Sequence, residues 1–213
     1  MIKRRFIGDT HGKFTQYKKL IKEVPDSVQV GDFGVGFMKY DFEYNLLPTQ
    51  NPPYDAIKRG NHRAIRGNHD NPGVIAKQSY WIPDCTFEED TGTFYLGGGF
   101  SIDRAWRIEG LSWWADEELS SFDLYKAIDK YFELKPRIMV SHEAPRLIAH
   151  QFFQGEFKQT LGASRTSQAL QSMLELHKPE IWLFGHWHIR RDEVVEGTRF
   201  ICLEELGYID LEV

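Results

Sequence analysis

Two histidines separated by one tryptophan end the apolar segment WLFGHWHI, residues 182–189. The segment is typical of a buried strand, and His186 and His188 follow its apolar part directly. Imidazole nitrogens are common protein ligands for divalent transition metals. Two histidines at this spacing predict a shared partner, and metal coordination is the chemistry that they favour.

Four other apolar segments also end in side chains that bind metals or move protons. Counted together with WLFGHWHI, these segments are followed by five of the eight histidines. Open α/β sheets bind ligands outside the carboxyl ends of their strands, so these side chains are predicted to converge on one crevice. The four segments are RRFIGDTHG with Asp9 and His11, SVQVGDFG with Asp32, RAIRGNHD with Asn68, His69 and Asp70, and RIMVSHEAP with His142.

The predicted donor set is too large for a single ion. Imidazole, carboxylate and amide donors without a thiolate suit Mn²⁺, Fe, Zn²⁺, Ni²⁺ or Mg²⁺, and Mn²⁺ is the ion we expect. Seven ligands suit two divalent ions roughly 3.5–4 Å apart that share a carboxylate, an arrangement that activates a bridging water against a phosphoryl group. The predicted ligands are Asp9, His11, Asp32, Asn68, His142, His186 and His188.

Strands and helices must alternate to position these residues. GKFTQYKKLIKEV has apolar residues at helical spacing before Pro25, and TSQALQSMLELHKP repeats the pattern with Thr166 or Ser164 as its N-cap. Each is followed by a short apolar segment, SVQV or EIWLF, that is predicted to be a strand. Strand, helix and strand in this order predict an α/β layered domain with parallel strand pairs.

Two further regions are predicted to add strands. Residues 90–115 contain glycines and alternating apolar residues. The C-terminal segment TRFICLEELGYIDLEV is expected to form a closing hairpin.

Length, charge and cysteine content narrow the class of protein. A chain of 213 residues fits one domain over 1–213, since single cores grow to about 250–300 residues. A net charge of −5 argues against a broad nucleic-acid surface but leaves room for a local basic patch. Cys85 and Cys202 form no metal or redox motif and favour a reducing, cytoplasmic setting. No segment has the roughly 18 apolar residues of a membrane span, and MIKRRFIGDT lacks the apolar stretch of a signal peptide.

The motifs GDTHG, GDFG, GNHD, SHEAP and GHWH, in this order, resemble the five motifs of the calcineurin-like metallophosphoesterase superfamily. The match spans residues 8–188 and implies a layered β-sandwich flanked by helices, with the metals at the C-terminal ends of strands. It also implies a bridging role for Asp32. The ligand sets implied for the two ions are Asp9, His11 and His188 for the first and Asn68, His142 and His186 for the second.

The resemblance also implies a catalytic role for His69, which contacts phosphate and protonates the leaving oxygen. Asp70 is predicted to orient the His69 imidazole and raise its pKa, with Asp9 or solvent as alternative neighbours. A role as a loop cap is an equal alternative for Asp70. The function predicted is that of a binuclear metal-dependent phosphohydrolase, in which a metal-bridging hydroxide attacks a phosphate ester. A phosphodiester is the favoured substrate, with a nucleotide or short nucleic acid among those considered.

The segment after Asp32 departs from the Ser/Thr protein phosphatases of this superfamily. Their GDxxDRG pattern carries a phosphate-holding arginine, whereas GDFGVGF has Val35 and Gly36 at the corresponding places. The segment GGGFSIDRAWRIEGLSWW, residues 97–114, resembles a region of bacterial and phage metallophosphoesterases and offers Arg104 and Arg107 for phosphate binding. Trp113 and Trp114 would either stack on an aromatic group or pack in the core.

Other functions and roles remain open at this point. The alternatives are a phosphomonoesterase or protein phosphatase, a non-catalytic scaffold on the same fold, and a nuclease for short single strands. Two long connections, residues 36–55 and 146–164, are predicted to form a substrate wall or, equally, surface insertions. The sequence leaves the oligomeric state undetermined.

Overall fold

The computed structural model describes residues 2–39, 45–47, 50–154 and 164–213. In those ranges the strands are β1 (Lys3–Ile7), β2 (Asp26–Gln29), β3 (Asn61–Ala64), β4 (Thr86–Glu88), β5 (Thr93–Leu96), β6 (Ile138–Ser141), β7 (Ile181–Phe184), β8 (Arg191–Val195), β9 (Thr198–Cys202) and β10 (Tyr208–Glu212). The helices are α1 (Phe14–Lys22), α2 (Tyr54–Ile57), α3 (Pro72–Ile75), α4 (Ser121–Leu134), α5 (Arg146–Phe153) and α6 (Arg165–Leu176), and a 3₁₀ turn covers Arg104–Trp106.

The strands form two mixed sheets. The four-stranded sheet has the order β10-β1-β2-β3, in which β1, β2 and β3 are parallel and β10 is antiparallel to β1. The six-stranded sheet has the order β4-β5-β6-β7-β9-β8, with a parallel centre and antiparallel edges. The predicted α/β fold with parallel strand pairs is confirmed.

The two sheets pack face to face and helices cover their outer faces. Phe6 and Val28 of one sheet share a buried core with Val140 and Leu183 of the other. Helices α4, α5 and α6 pack on the six-stranded sheet, and α1, α2 and α3 on the four-stranded one. The result is the layered sandwich flanked by helices that the resemblance implied. None of the helices within the described ranges is long and apolar enough to cross a membrane.

Both helices predicted from apolar spacing are present. Helix α1 buries Tyr17 and Ile21 on its inner face. Helix α6 begins after Ser164, whose hydroxyl accepts a hydrogen bond from the Ser167 amide at 3.0 Å, so Ser164 is the N-cap. Helix α4 was not assigned from the sequence, although Ser120 caps it in the same manner.

The predicted C-terminal hairpin is wrong. Strand β9 pairs with β7 and β8 in the six-stranded sheet, whereas β10 pairs with β1 in the other. The hairpin at this end of the chain joins β8 to β9 through Glu196 and Gly197, both with positive φ, as a tight two-residue turn requires. Residues 203–207 carry the chain from one sheet to the other.

The two long connections are only partly described. Residues 40–44, 48–49 and 155–163 lie outside the described residues, so the predicted substrate wall is untested there. The first part of the second connection is not a loop, because helix α5 buries Ile148, Phe152 and Phe153 in the core. In the first connection, Met38 donates a backbone hydrogen bond to Leu111 of the segment 97–114.

Candidate metal centre

The carboxyl ends of five strands bring the predicted ligands to one edge of the sandwich. Strands β1, β2 and β3 supply Asp9 and His11, Asp32, and Asn68 with His69. Strands β6 and β7 of the other sheet supply His142 and the pair His186 and His188. The short strands therefore act as a frame, and each ligand lies one to four residues beyond a strand end.

One group of ligand atoms lies at the open side of this edge. Asp9, His11, Asp32 and His188 each offer a ligand atom, and these atoms lie within 4.8 Å of one another. His188 Nε2 is 2.9 Å from Asp9 Oδ2 and 2.8 Å from His11 Nε2. These four residues could hold one ion.

A second group lies deeper in the molecule. Asn68 Oδ1 is 3.0 Å from both His142 Nε2 and His186 Nδ1, and the two ring nitrogens are 3.3 Å apart. Ligands bound at about 2.0–2.2 Å to one ion lie about 3 Å apart, so the three atoms fit a single divalent ion.

Asp32 faces both groups. Its Oδ1 is 3.3 Å from His142 Nε2, and its Oδ2 is 3.9 Å from His11 Nε2. Lone pairs and carboxylate oxygens that converge in this way repel one another unless protons or metal cations lie between them. The donor set contains no sulfur and therefore suits oxygen- and nitrogen-binding divalent metals, for which both groups offer ligand atoms.

Surrounding groups keep Asp32 and His186 in metal-binding form, whereas Asp9 raises the pKa of His188. Burial alone would raise the pKa of Asp32, but the neighbouring His69, His142 and His11 hold it well below its usual range. Burial, with the adjacent His142, keeps the pKa of His186 well below its usual range, so its ring is neutral. Burial would lower the pKa of His142, but Asp32 and Asp9 raise it to about 10, so a metal ion at Nε2 would displace a proton. His142 Nδ1 lies 3.0 Å from the Val30 carbonyl, which leaves Nε2 as the nitrogen that faces Asp32 and Asn68.

Four of the seven ligands have a left-handed backbone. The φ angles are +47° at His11, +55° at Asp32, +67° at His186 and +56° at His188. Non-glycine residues rarely adopt this region, and such strain concentrates at functional sites. The two histidines of GHWH therefore reach the centre from a strained turn, while Trp187 stacks on Phe153 at 4.7 Å in the core.

Glycines that precede ligands make room for the neighbouring ligands. A Cβ on Gly67, before Asn68, would collide with the Asp32 carboxylate, and one on Gly185, before His186, would collide with that of Asp9. Only glycine permits these approaches. The glycine–ligand pairs of the sequence motifs are thus explained by packing between strands.

His69 lies beside the centre rather than among the ligands. Its Nε2 is 3.9 Å from Asp32 Oδ2 and 2.5 Å from Arg107 Nη2, and its ring stacks on Phe37 at 4.7 Å. Burial lowers the pKa of His69 to about 4, against the opposing effect of Asp32 and with a smaller contribution from Arg107. In this arrangement the imidazole is neutral and accepts a hydrogen bond from the guanidinium.

Backbone amides surround the Asp70 carboxylate. Its Oδ1 accepts hydrogen bonds from the amides of Gly34 and Val35, and its Oδ2 from those of Phe33 and Gly67. The carboxylate is therefore engaged by backbone, and it ties the loop after β2 to the loop after β3. This geometry supports the loop-cap alternative for Asp70, and its effect on His69 stays a prediction.

The two arginines of the segment 97–114 differ in their positions. Arg107 is half-buried, contacts His69, and pairs with Asp103 at 2.6 Å. Arg104 is exposed and lies over the Phe100 ring at 4.7 Å. Arg107 is thus placed against the centre, and Arg104 is not.

The tryptophans of this segment lie in different surroundings. Trp114 is 8% exposed and packs near Phe37, which is the packing alternative for this residue. Trp106, which no motif marks, is 90% exposed. Phe37 was missed too, since no motif marks it and its contact with His69 arises from the meeting of two loops.

Two cavities of about 270 Å³ each flank His69. One opens over the second ligand group and is lined in part by Asn68, Ile102 and Arg107. The other lies beside the first group and is lined in part by His11, Phe37 and Lys39. A substrate held at the centre would extend into one or both of them.

Known proteins share this sequence pattern and fold. A family model described as calcineurin-like phosphoesterase matches residues 3–190, whereas comparison with curated protein sequences gives no match. The phosphopantetheinyl hydrolase of Mycobacterium tuberculosis is similar in structure, with a TM-score of 0.55 at 12% identity over 95% of this chain and 90% of that one.

A putative 5′-nucleotidase from Staphylococcus aureus gives a TM-score of 0.51 at 13% identity over 99% of this chain. This chain covers 51% of that protein, about half its length. At these identities the likeness shows the fold alone. The family model covers all of the chain from β1 to the second histidine of GHWH, and the chain therefore belongs to the calcineurin-like phosphoesterase family of metal-dependent phosphohydrolases.

Proposed function

We propose that this chain hydrolyses phosphodiesters with two divalent ions, Mn²⁺ being the expected metal. The observation that carries the proposal is the position of Asp32, whose two oxygens face two separate groups of ligand atoms. A complete ligand set favours catalysis over a non-catalytic scaffold. We treat residues 1–213 as one domain and, because Cys85 and Cys202 are both free thiols, assign it to the cytoplasm.

Each predicted metal ligand has a role in this proposal. When bound, the two ions would activate a water and neutralise charge on the phosphate. Asp32 sets their separation. The remaining ligands are Asp9, His11 and His188 for the first ion and Asn68, His142 and His186 for the second.

His69 and Arg107 act on the substrate as a pair. The guanidinium binds phosphate oxygens better than it binds a neutral imidazole, so a bound phosphate would draw Arg107 away from His69 Nε2. With the guanidinium moved away and an anionic phosphate beside it, that nitrogen would take up a proton from solvent and pass it to the leaving oxygen. Arg104, being exposed, would at most make a peripheral contact.

The charge around the centre supports a diester over a monoester. At the two positions where the protein phosphatases have Asp and Arg, this chain has Val35, which is buried in the core, and Gly36. Arg107 is then the one described arginine in contact with His69, and its charge is shared with Asp103. A diester carries one negative charge near phosphorus and needs less compensation than the dianion of a monoester. A nucleotide or a short nucleic acid is the substrate class that we would test next.

The test compares Mn²⁺-dependent hydrolysis of a nitrophenyl phosphodiester with that of the corresponding monoester. Asp32→Asn is the control and should lose most activity toward both, because the bridging carboxylate is gone. Faster diester cleavage by the wild type is the expected result. Faster monoester cleavage would instead identify a phosphatase, and wild-type turnover by Asp32→Asn at saturating Mn²⁺ would refute the two-metal mechanism.

A further inference from the structure

The side-chain amide of Asn68 must point one way for the second ligand group to exist. Asn68 is 2% exposed, and its Oδ1 faces the two ring nitrogens of His142 and His186. Rotation of the amide by half a turn would present its NH₂ group to the same nitrogens. An NH₂ group donates hydrogen bonds and has no lone pair for a metal. Some neighbour must therefore select the orientation.

The neighbour on the other side of the amide is Ser101. Asn68 Nδ2 donates to Ser101 Oγ at 3.0 Å, and Ser101 is 1% exposed. Arg107 Nη1 also donates to this oxygen, at 3.2 Å. A hydroxyl can accept two hydrogen bonds but has one proton of its own to donate. The acceptor of that one hydrogen bond therefore decides whether Ser101 Oγ donates to the Asn68 amide or accepts from it.

Glu117 accepts the hydrogen bond that the Ser101 hydroxyl donates. Ser101 Oγ donates to Glu117 Oε2 at 2.5 Å, and the Ser101 amide donates to Glu117 Oε1 at 3.0 Å. Glu117 is 3% exposed, so solvent does not substitute for these bonds. Burial raises the pKa of Glu117, and the hydrogen bonds from Ser101 and the charge of Arg107 oppose this rise. In its ionised form the carboxylate only accepts, so Ser101 Oγ is left with lone pairs alone to offer. Asn68 meets those lone pairs with its NH₂ group, and its carbonyl oxygen is directed to the ligand group.

We propose that Glu117, acting through Ser101, is a positioning residue that sets the metal-binding orientation of Asn68. The same hydroxyl links the amide to Arg107, so one hydrogen-bond network holds a metal ligand and the guanidinium beside His69. The inference rests on the proposed two-metal centre and extends it to two residues that no ligand motif contains.

The sharpest variant is Glu117→Gln, which keeps the shape of the side chain. Its carboxamide would accept from the Ser101 amide and donate to Ser101 Oγ, and the hydroxyl proton would then turn to the Asn68 carbonyl. Ser101→Ala is the second variant and removes the link altogether. We expect both to bind the second Mn²⁺ about 10–100-fold more weakly, as is usual when outer contacts of a metal site are lost.

Mn²⁺ titration calorimetry of the metal-free protein measures both affinities, and the spin-coupled signal of a Mn²⁺ pair reports double occupancy independently of turnover. Asp116→Asn is the matched control for charge, since Asp116 is the exposed neighbour of Glu117. Ser112→Ala is the control for the loop, because its hydroxyl caps the Ile108 amide and not Asn68. Both controls should bind two ions as the wild type does.

The outcomes separate this inference from the function that it rests on. Wild-type protein that binds two ions while Glu117→Gln keeps one tight and one weakened site supports the inference. Two unchanged affinities in Glu117→Gln overturn it and leave the proposed function intact. Equal weakening of both sites together with a lower melting temperature of the metal-free variant also overturns it, because Glu117 would then serve stability alone. Wild-type protein that binds fewer than two ions overturns the proposed function itself.

Discussion

Two buried carboxylates near the centre have different roles because different groups surround them. Asp32 faces imidazoles and Asp70 faces backbone amides. Burial, with a contribution from Asp32, raises the pKa of Asp70 to about 6, so the carboxylate is ionised at neutral pH and accepts all four hydrogen bonds. Residue type and motif position did not distinguish these roles, because the amides that bind Asp70 lie mostly in another part of the sequence.

Asp70→Asn tests the structural role at this scale. The asparagine NH₂ group would face two backbone N–H donors in either orientation, so we expect a loss of about 2–4 kcal/mol in unfolding free energy. Urea denaturation measures the loss, with exposed Asp55→Asn as the control. A variant of unchanged stability whose pH–rate profile is shifted would return Asp70 to the predicted contact with His69.

At the scale of elements, the centre consists of short strands that end in glycine–ligand pairs. The strand ends and the two amphipathic helices could be predicted because apolar spacing is a local property of the sequence. The pairing of β9 and β10 could not, since each strand finds its partner in a different sheet. The positive φ angles of the ligands could not be predicted either. Histidine and aspartate rarely adopt a left-handed backbone, so their presence in the sequence does not indicate one, as glycine can.

Gly67→Ala tests the close approach of strands β2 and β3. The added methyl group would meet the Asp32 carboxylate and backbone, so the Asp32 oxygens must shift. We expect Mn²⁺ affinity and kcat/KM to fall by at least about 10-fold, as a shift of about 1 Å at a reacting centre costs up to about 100-fold. Gly73→Ala is the control, because a Cβ there meets only the Asn71 side chain at an ordinary 3.5 Å. Equal Mn²⁺ affinity and equal kcat/KM in Gly67→Ala and Gly73→Ala would contradict the packing explanation.

At the scale of the whole molecule, an ion network joins the two sheets at the end opposite the centre. Arg4 of β1 pairs with two carboxylates. Its Nε is 2.5 Å from Asp26 Oδ1, and its Nη1 is 2.6 Å from Oε2 of Glu88 in β4. Tyr95 of β5 also donates to Glu88, at 2.8 Å, and Arg63 of β3 contacts the other oxygen of Glu88. The sequence shows these charges but not their meeting, which depends on how the sheets are stacked.

This network predicts how stability depends on pH. Burial would raise the pKa of Glu88, but Arg4, Tyr95 and Arg63 outweigh it and lower the pKa to about 2 from the usual 4.5. The unfolded chain therefore binds the proton first, and the stabilisation is present above about pH 4.5 and is lost as the pH falls toward 2. Glu88→Gln should lose roughly 1–3 kcal/mol at pH 7 and show a flatter decline in acid.

Urea denaturation of metal-free protein from pH 7 to pH 3 measures this decline. Exposed Glu89→Gln serves as the control and should follow the wild type. Parallel curves for Glu88→Gln and the wild type would show that the network does not hold the sheets together.

The left-handed backbone of four ligands has a consequence for laboratory evolution. Each strained histidine or aspartate costs about 1 kcal/mol or more relative to a glycine in the same conformation. A library of variants of this chain that is selected only for heat resistance, without metal, should therefore accumulate glycine at positions 11 and 188. The selected variants would have a higher melting temperature and would not hydrolyse substrate. Only sorting that rewards hydrolysis would retain both histidines, so the frequency of glycine at these two positions would report which pressure a population had experienced.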